Sequence, residues 1–203
     1  GIHAVLTADE ISDTIPRIPL RIEAQPSYEA FEQPVIAYEK VRYAGEPVAV
    51  VIADSAALAE DVLDLIDVEF EELPVVIDCK QALAGETFLF EEKLSNLTLT
   101  MTGKKGGVEA VFKNACYTRT ERFSIHRHSA MPLEPRGILA AWNSVAQTMT
   151  VYGAAKVTFH NKRTLAKLMN LPEDAVTLIE NDVGGGFGVR GEFYPEDFLI
   201  PFA

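Results

Sequence analysis

The sequence has 203 residues, of which 48% are hydrophobic and 24% charged, as expected for a globular protein with one large or two small domains. Its 30 Asp and Glu residues outnumber 18 Lys and Arg residues, and the net charge of -12 argues against a nucleic-acid or anionic-membrane surface. No apolar run reaches the roughly 18 residues of a membrane span, so no membrane association is predicted.

The first part of the chain predicts short strands. Residues 4–6 are apolar and β-prone, and four prolines between positions 16 and 34 favour an extended or looped excursion. Two further β-prone runs, at 41–43 and 48–52, flank Ala44-Gly45-Glu46-Pro47, which is typical of a tight hairpin-like turn.

A helix and a strand are predicted next. Asp54 or Ser55 can cap a helix that runs to about residue 66 with apolar residues at helical spacing. Residues 68–71 alternate apolar and acidic as a half-buried strand does, and residues 81–85 predict a short helix closed by a glycine. This order is typical of a small α+β domain with a helix on one side, which we assign to residues 1–92.

Residues 93–107 are polar, weakly patterned and end in glycines, so a linker is predicted there. The second predicted domain, residues 108–203, begins with a short amphipathic helix at 108–115. The elements predicted after it are a long strand at 117–128, strands at 137–142 and 148–152, a helix at 158–169, a strand at 175–180 and a helix from Pro195.

Four glycines occupy five positions in the stretch Gly184-Gly185-Gly186-Phe187-Gly188, directly after a predicted strand. Glycine costs about 0.5–1 kcal/mol relative to Ala inside regular structure, so such a loop indicates positive φ angles or close approach to a ligand. Consecutive N–H groups in this geometry form a concave donor surface that suits an anion or an oxo group. A plain tight connection is the alternative.

Two general nucleotide-binding motifs compete for this loop. A P-loop fails because no Gly-Lys-Ser/Thr follows the glycines. Residues 186–191 match GxGxxG, but the next helix starts only at Pro195, with Glu196 and Asp197 in its first turn. Those carboxylates would repel a pyrophosphate, so a small nucleotide-binding module is the less favoured alternative.

Three stretches together resemble one protein family. Residues 183–188, Val-Gly-Gly-Gly-Phe-Gly, are similar to the molybdopterin-contacting loop of the molybdenum hydroxylase large subunit. Residues 131–137, Met-Pro-Leu-Glu-Pro-Arg-Gly, resemble its P-(M/L)-E-P-R-G signature, and residues 41–51 with 68–74 resemble its α/β hammerhead domain. The chain is thus similar to part of the large subunits of xanthine dehydrogenase, aldehyde oxidase and carbon monoxide dehydrogenase.

The resemblance implies an α+β fold: a hammerhead domain without its N-terminal part, followed by the first part of the molybdopterin-binding domain. It implies an oxidoreductase that hydroxylates or oxidises an aldehyde or N-heterocycle with oxygen from water. The implied cofactor is molybdenum–molybdopterin, as the cytosine dinucleotide. The implied partners are the remainder of the large subunit, an FAD-binding medium subunit, a [2Fe-2S] small subunit and a small-molecule substrate.

The resemblance also implies which residues approach the cofactor. These are Gly184, Gly185, Gly186, Phe187 and Gly188, whose backbone donors would hold an oxo ligand and the pterin. Arg190 is a candidate charge on the pterin or substrate side, with a solvated loop residue as the alternative.

Two positions depart from the family pattern. Lys156 stands where many members have a Gln close to the molybdenum ligands, and Lys offers three donors and no acceptor. It is a candidate contact to the cofactor or an anionic substrate, or equally an exposed residue of a locally basic stretch. Gly191 stands where some members have a Glu, which puts a purine-type substrate arrangement in doubt.

The remaining polar candidates are interpreted as structural. His126 and His128 share a strand face but lack a third ligand, so no direct metal ligand is predicted. Glu134 is expected in a buried ion pair or a strand-end hydrogen bond, and Asp182 is expected to cap backbone donors.

The two cysteines, Cys79 and Cys116, are far apart and lack a CxxC neighbour, so zinc and iron–sulfur sites held by this chain alone are excluded. Isolated thiols indicate a reducing compartment, and we expect a cytoplasmic protein. The first residues lack an initiator Met and a basic segment, so no signal peptide is predicted, although a segment upstream of Gly1 stays open.

No residue matches the family's general-base Glu, which lies near the far C-terminus of subunits several times longer, and we assign no catalytic residue here. The polypeptide alone is therefore expected neither to retain the molybdenum cofactor nor to turn over substrate. A catalytically silent fragment or split-gene product that needs a companion chain is the alternative.

Overall fold

The computed structural model describes residues 1–21, 27–153 and 157–203. Helices and short strands are mixed along the chain, as predicted. The elements are β1 (Ile2–Leu6), α1 (Ala8–Ile11), β2 (Arg17–Ile18), β3 (Gln33–Pro34), β4 (Val50–Ala53), α2 (Ala56–Leu63), α3 (Cys79–Ala84), α4 (Val108–Asn114), β5 (Ile138–Asn143), β6 (Thr148–Gly153), α5 (Thr158–Leu168), β7 (Val176–Ile179) and α6 (Pro195–Phe202). One-turn 3-10 helices lie at Glu29–Phe31, Glu91–Lys93 and Glu173–Ala175.

The second half of the chain is built on a sheet of three strands in the order β5-β6-β7. β5 and β6 form an antiparallel hairpin. The Asn143 side chain accepts hydrogen bonds from the N–H groups of Val145 and Ala146, both at 3.0 Å, which stabilises the turn between them. β6 and β7 are parallel, and α5 connects them because parallel neighbours need a crossover.

One hydrophobic core joins distant parts of the chain. α5 buries Leu165 and α6 buries Phe198 in a cluster with Val151 and Val176 of the sheet. The same cluster includes four buried residues from the first part of the chain: Ala8, Ile11, Val35 and Ile36. Residues on both sides of the predicted linker thus share one core, and the domain bounds at residues 92 and 108 stay a prediction.

Two small strand pairs lie in the first part of the chain. β1 and β4 pair antiparallel with Val5 opposite Val51, and β2 pairs with β3. The predicted run at 48–52 is thus a strand, although its partner is the first segment of the chain.

The predicted helices form with the expected caps. The Ser55 hydroxyl accepts a hydrogen bond from the Leu58 N–H at 3.2 Å, and α2 ends at Leu63, three residues earlier than predicted. Gly85 closes α3 with φ +73°. Among the described residues, no helix combines the length and the apolar character that crossing a bilayer requires.

The strands predicted at 41–43, 68–71 and 117–128 do not form. The predicted turn is present, with the Glu46 N–H donating to the Tyr43 carbonyl at 3.3 Å, but no ladder extends from it within the described chain. The other two segments leave Phe70, Phe123 and Ile125 exposed. Alternation predicts which face a strand would bury, whereas a strand exists only when another backbone pairs with it.

Candidate functional site

The glycine loop, defined as residues 183–191, lies between β7 and α6 at one edge of the sheet. Since β6 and β7 are parallel, with Tyr152 opposite Ile179, the chain leaves both strands at the same edge. Ligands bind outside the carboxyl ends of parallel strands in open α/β sheets. Lys156, the predicted site residue that follows β6, lies outside the described residues.

Positive φ angles shape the loop, as its glycines predicted. Gly185 has φ +105° and Gly188 has φ +96°, a region that glycine enters without steric penalty. Phe187, between them, has φ +46° and is 77% exposed. A left-handed backbone is uncommon for a bulky residue, so the fold holds this aromatic side chain outward against a local conformational cost.

The glycines are bare for different reasons. A Cβ on Gly184 would lie 2.5 Å from the Glu134 Cβ, so Gly184 makes room for another part of the protein. A Cβ on Gly185 would lie 2.9 Å from the Phe187 ring. A Cβ on Gly188 would meet nothing within 4 Å, so this position faces open space. Gly188 and Phe187 are therefore the parts of the loop that are open to a ligand.

Arg190 lies beneath the loop. Its side chain is 1% exposed, and its Nη2 is 3.0 Å from the Glu134 carboxylate. The same nitrogen donates to the carbonyl of Glu134 and, at 3.4 Å, to that of Pro135. Nε and Nη1 have no hydrogen-bond partner in the part of the chain that the structure describes, and both are sealed from solvent. This placement favours support of the loop over direct contact with a ligand.

Glu134 contacts both ends of the loop. Besides pairing with Arg190, its carboxylate accepts a hydrogen bond from the Gly184 N–H. The expected ion pair at Glu134 is present, although its side chain is 44% exposed and only the Arg190 partner is fully buried. Asp182, expected to cap loop donors, is exposed, and the Gly184 amide donates to Glu134 instead.

Arg136 connects the same segment to α6. Its Nη2 donates to both carboxylate oxygens of Asp197 at 2.9 Å, and Nη1 donates to Glu196. Its guanidinium carbon lies 4.0 Å from the centre of the Tyr194 ring. Burial raises the pKa of the Asp197 carboxyl, and the charge of Arg136 opposes that rise.

The first turn of α6 is occupied by its own capping groups. The Tyr194 N–H donates to Asp197 Oδ2 at 2.7 Å, and Pro195 begins the helix. Because Glu196 and Asp197 bring negative charge to this end, a phosphate group is disfavoured there. The structure thus supports the sequence argument against a dinucleotide on residues 186–191.

The end of the loop is also held from α5. The Asn161 side chain, which is buried, donates to the Glu192 carbonyl at 3.4 Å, and Arg21 pairs with the Glu192 carboxylate at 2.8 Å. The loop is therefore fixed on one side by residues 132–136 and on the other by α5.

Burial lowers the pKa of His160, and the charges of Arg163 and Arg21 lower it further.

The other candidate residues for chemistry are all exposed. His126 and His128 are exposed, as are the free thiols of Cys79 and Cys116. Within the described ranges, no three His, Cys, Asp or Glu side chains are grouped as metal ligands.

Sequence reasoning missed the contacts that Glu134 and Arg136 make with the loop and α6. These contacts join residues 50 to 61 positions apart, beyond any local spacing rule. The alternation of acid and base in Leu-Glu-Pro-Arg was the available signal, but it did not identify the partners.

Comparison with known proteins gives two family matches. The molybdopterin cofactor-binding domain matches residues 89–203, and the a/b hammerhead domain of aldehyde oxidase and xanthine dehydrogenase matches residues 1–74. The chain is 34% identical over 89% of its length to the 6-hydroxypseudooxynicotine dehydrogenase complex subunit gamma of Paenarthrobacter nicotinovorans. It is 32% identical over its whole length to the nicotine 6-hydroxylase large subunit of that organism.

Solved structures agree with these matches. Quinoline 2-oxidoreductase from Pseudomonas putida 86 superposes with a TM-score of 0.84 at 28% identity, covering 98% of this chain and 25% of that one. The aldehyde oxidoreductase from Desulfovibrio gigas, at 23% identity and a TM-score of 0.83, has the same fold. The chain spans 22% and 25% of the lengths of the two Paenarthrobacter relatives.

Proposed function

Because the chain belongs to the molybdopterin-binding large-subunit family of xanthine dehydrogenase, aldehyde oxidase and carbon monoxide dehydrogenase, we propose that its glycine loop lies against a molybdenum–molybdopterin cofactor. The observation that carries the proposal is the open space at Gly188 beside the outward, left-handed Phe187. Such an aromatic on a bare backbone can pack on a planar ligand while its neighbours donate N–H groups.

The donor set of the loop fits a cofactor whose metal is held by its own pterin dithiolene. The loop supplies backbone N–H groups and an apolar ring, which suit oxo groups and a pterin. The Gly184 N–H is already used by Glu134, and those of Val189 and Gly191 donate to loop carbonyls. We therefore assign cofactor approach to Phe187 and Gly188, and assign Gly184 and Arg190 to holding the loop in shape. Gly186 is buried and Gly185 is partly buried, so these two glycines are assigned to the bend of the loop. Lys156, outside the described residues, stays a candidate contact.

When bound, the molybdenum cofactor supplies a two-electron oxidation in which water provides the oxygen. The residues of this chain would bind and orient that group, with Phe187 as an apolar contact. We assign no proton-transfer residue within these 203 positions, and the polypeptide that completes the subunit would provide it.

The proposed reaction is hydroxylation of an N-heterocycle or oxidation of an aldehyde. A C–H bond becomes C–OH with oxygen from water, and two electrons and two protons leave. N-heterocycles are favoured because one relative is named for nicotine, another for 6-hydroxypseudooxynicotine and one solved structure for quinoline. The proposed partners are an FAD-binding subunit and a [2Fe-2S] subunit that take up the electrons, in a reducing, cytoplasmic setting suited to the exposed thiols. The proposed cofactor form is the cytosine dinucleotide.

The test is to purify the full-length subunit with its partners and to measure molybdenum and released pterin nucleotide. The assembled enzyme is then given an N-heterocycle or an aldehyde in ¹⁸O-labelled water with an artificial electron acceptor. We expect one molybdenum per large subunit and ¹⁸O in the product. An enzyme without molybdenum, or a product that takes its oxygen from O₂, would contradict the proposal.

A silent fragment that needs a companion chain is the second candidate. This alternative needs no catalytic residue in the chain, and we assign none. Cofactor bound only when a second polypeptide is supplied would identify this case.

A further inference from the structure

Residues 132–136 make contact with the glycine loop at its start, its end and the helix that follows. Pro132 lies 3.4 Å from where a Cβ on Gly185 would be, Glu134 contacts Gly184 and Arg190, and Arg136 pairs with Asp197. Residues 132–136 therefore contact the loop along its length, and Glu134 is the residue of this segment that contacts both ends of the loop.

Glu134 packs so closely against Gly184 that there is no room for a side chain at position 184. Any side chain at Gly184 would collide with the Glu134 Cβ at 2.5 Å and approach its carboxylate at 3.0 Å. Close backbone approach lets the Gly184 N–H donate to that carboxylate, a hydrogen bond strengthened by the negative charge. The glycine is thus bare so that the carboxylate can hold the loop backbone directly.

An ion pair connects Arg190, near the end of the loop, to the same Glu134 carboxylate. The Arg190 side chain is sealed from solvent, and Glu134 is the carboxylate that contacts it in the described part of the chain. A buried guanidinium without a counter-ion is strongly disfavoured, so the loop end follows the position of Glu134. Glu134 itself is partly exposed, so its substitution leaves no buried cavity at the carboxylate.

We propose that Glu134 is a positioning residue: its single carboxylate contacts residues 184 and 190 and sets the conformation in which Phe187 and Gly188 meet the cofactor. The role toward the cofactor rests on the function proposed above, whereas the closure of the loop by Glu134 does not. Supporting groups of this kind typically change metal affinity by about 10- to 100-fold when they are removed.

The first measurement is hydrogen exchange of the loop in the full-length subunit, assembled with its partners and produced in cells that cannot make molybdopterin. Glu134→Gln keeps the side-chain shape and removes the charge. The control is Glu91→Gln, which removes a carboxylate paired with Lys40 at 2.6 Å on an exposed surface. We expect residues 184–190 to exchange about tenfold faster in Glu134→Gln only, with α5 unchanged in both variants.

The second measurement uses the cofactor-loaded enzyme. Molybdenum content and the rate of molybdenum release during dilution into chelator are compared for wild type, Glu134→Gln, Glu134→Asp and Glu91→Gln. We expect about tenfold faster release in Glu134→Gln, an intermediate rate in Glu134→Asp and the wild-type rate in Glu91→Gln. Amide exchange of α5 should stay at the wild-type rate in every variant, which separates a local effect on the loop from a general loss of stability.

The results separate the two ideas. Suppose that the loop exchanges faster in Glu134→Gln, but the wild-type enzyme contains no molybdenum even when it is produced in cells that make molybdopterin. This result would support closure by Glu134 and refute the proposed function. Unchanged exchange and release in Glu134→Gln would overturn the positioning role, as would exchange that rises in α5 as much as in the loop. If Glu134→Gln does not fold, Gly184→Ala tests the same contact, and wild-type loop exchange in that variant would also refute it.

Discussion

At the residue scale, Phe187 combines a strained backbone conformation with an exposed aromatic side chain. A left-handed conformation costs an L-residue roughly 1–2 kcal/mol, and φ is +46° here. The ring gains little from packing within the chain, because it is 77% exposed. Strain at an exposed aromatic motivates a ligand-facing role, since ligand contact can offset the cost.

Gly188 offers a test of ligand approach that is matched for backbone strain. Gly188 and Gly45 have φ +96° and +97°, and a Cβ on either would meet nothing within 4 Å. Gly188→Ala and Gly45→Ala should therefore destabilise the protein equally, by about 1 kcal/mol. In the assembled enzyme we expect only Gly188→Ala to lose bound molybdenum, by tenfold or more, measured as molybdenum per subunit.

Urea unfolding of both variants provides the control for that comparison. Equal unfolding midpoints with unequal molybdenum content would locate the effect in the loop. Equal molybdenum content in the two variants would mean that the cofactor does not lie against Gly188.

At the element scale, α5 combines core packing with support of the site. Leu165 and Ala166 are buried in the core, and Asn161, one turn earlier, reaches the Glu192 carbonyl. Residues at i and i+4 share a face, so Asn161 and Leu165 lie on one helix face that serves both purposes. Its position was predicted from spacing alone, whereas its contact with the loop depends on the crossover that brings α5 beside β7.

His160 gives α5 a predicted pH dependence. Its pKa is lowered in the fold, first by burial and then by Arg163 and Arg21. The unfolded chain takes up a proton near the usual pKa of about 6.5 while the folded chain does not. The free energy of unfolding is therefore undiminished by His160 above about pH 6.5, and it decreases as pH falls from there towards the lower pKa of the folded state.

We expect His160→Gln to reduce the loss of unfolding free energy between pH 7.5 and about pH 5. Urea midpoints at the two pH values measure it, and His126→Gln, at an exposed position, is the control. The same decrease in His160→Gln as in wild type would show that burial of the imidazole does not govern this range.

At the scale of the whole molecule, the chain is unevenly packed. The three-stranded sheet, α5 and α6 form a core, while residues 117–128 leave Phe123 and Ile125 both 85% exposed. Exposed apolar side chains in alternation are typical of a strand whose partner is absent. The alternation therefore indicates that residues 117–128 form a strand when a second backbone is available to pair with them.

We expect residues 117–128 to exchange amide hydrogens rapidly in the 203-residue polypeptide and slowly in a polypeptide of the relatives' full length. A paired strand protects its amides, and an unpaired one does not. Hydrogen exchange read by mass spectrometry compares the two, with α5 as the internal control. Rapid exchange in both would show that alternation here does not mark a strand.

Local features were predictable because short-range physics decides them. Ser55 caps α2 and Gly85 closes α3 whatever surrounds them, since both act on neighbouring backbone groups. The resemblance of residues 131–137 and 183–188 to one family was likewise available from the residues themselves, and the family matches confirmed it.

Sequence alone determined the order of helices α2 to α6 and the glycine loop with its positive φ angles. It also determined the strands predicted at 137–142 and 148–152, which form at Ile138–Asn143 and Thr148–Gly153, whereas α1 was not predicted. Tertiary structure decided which predicted strands found partners and which atoms filled the space at Gly184. Pairing and close packing join groups tens of residues apart, and their free energy depends on a geometry that no local pattern encodes. For that reason Gly184 was interpreted as facing a ligand, whereas the fold places Glu134 there.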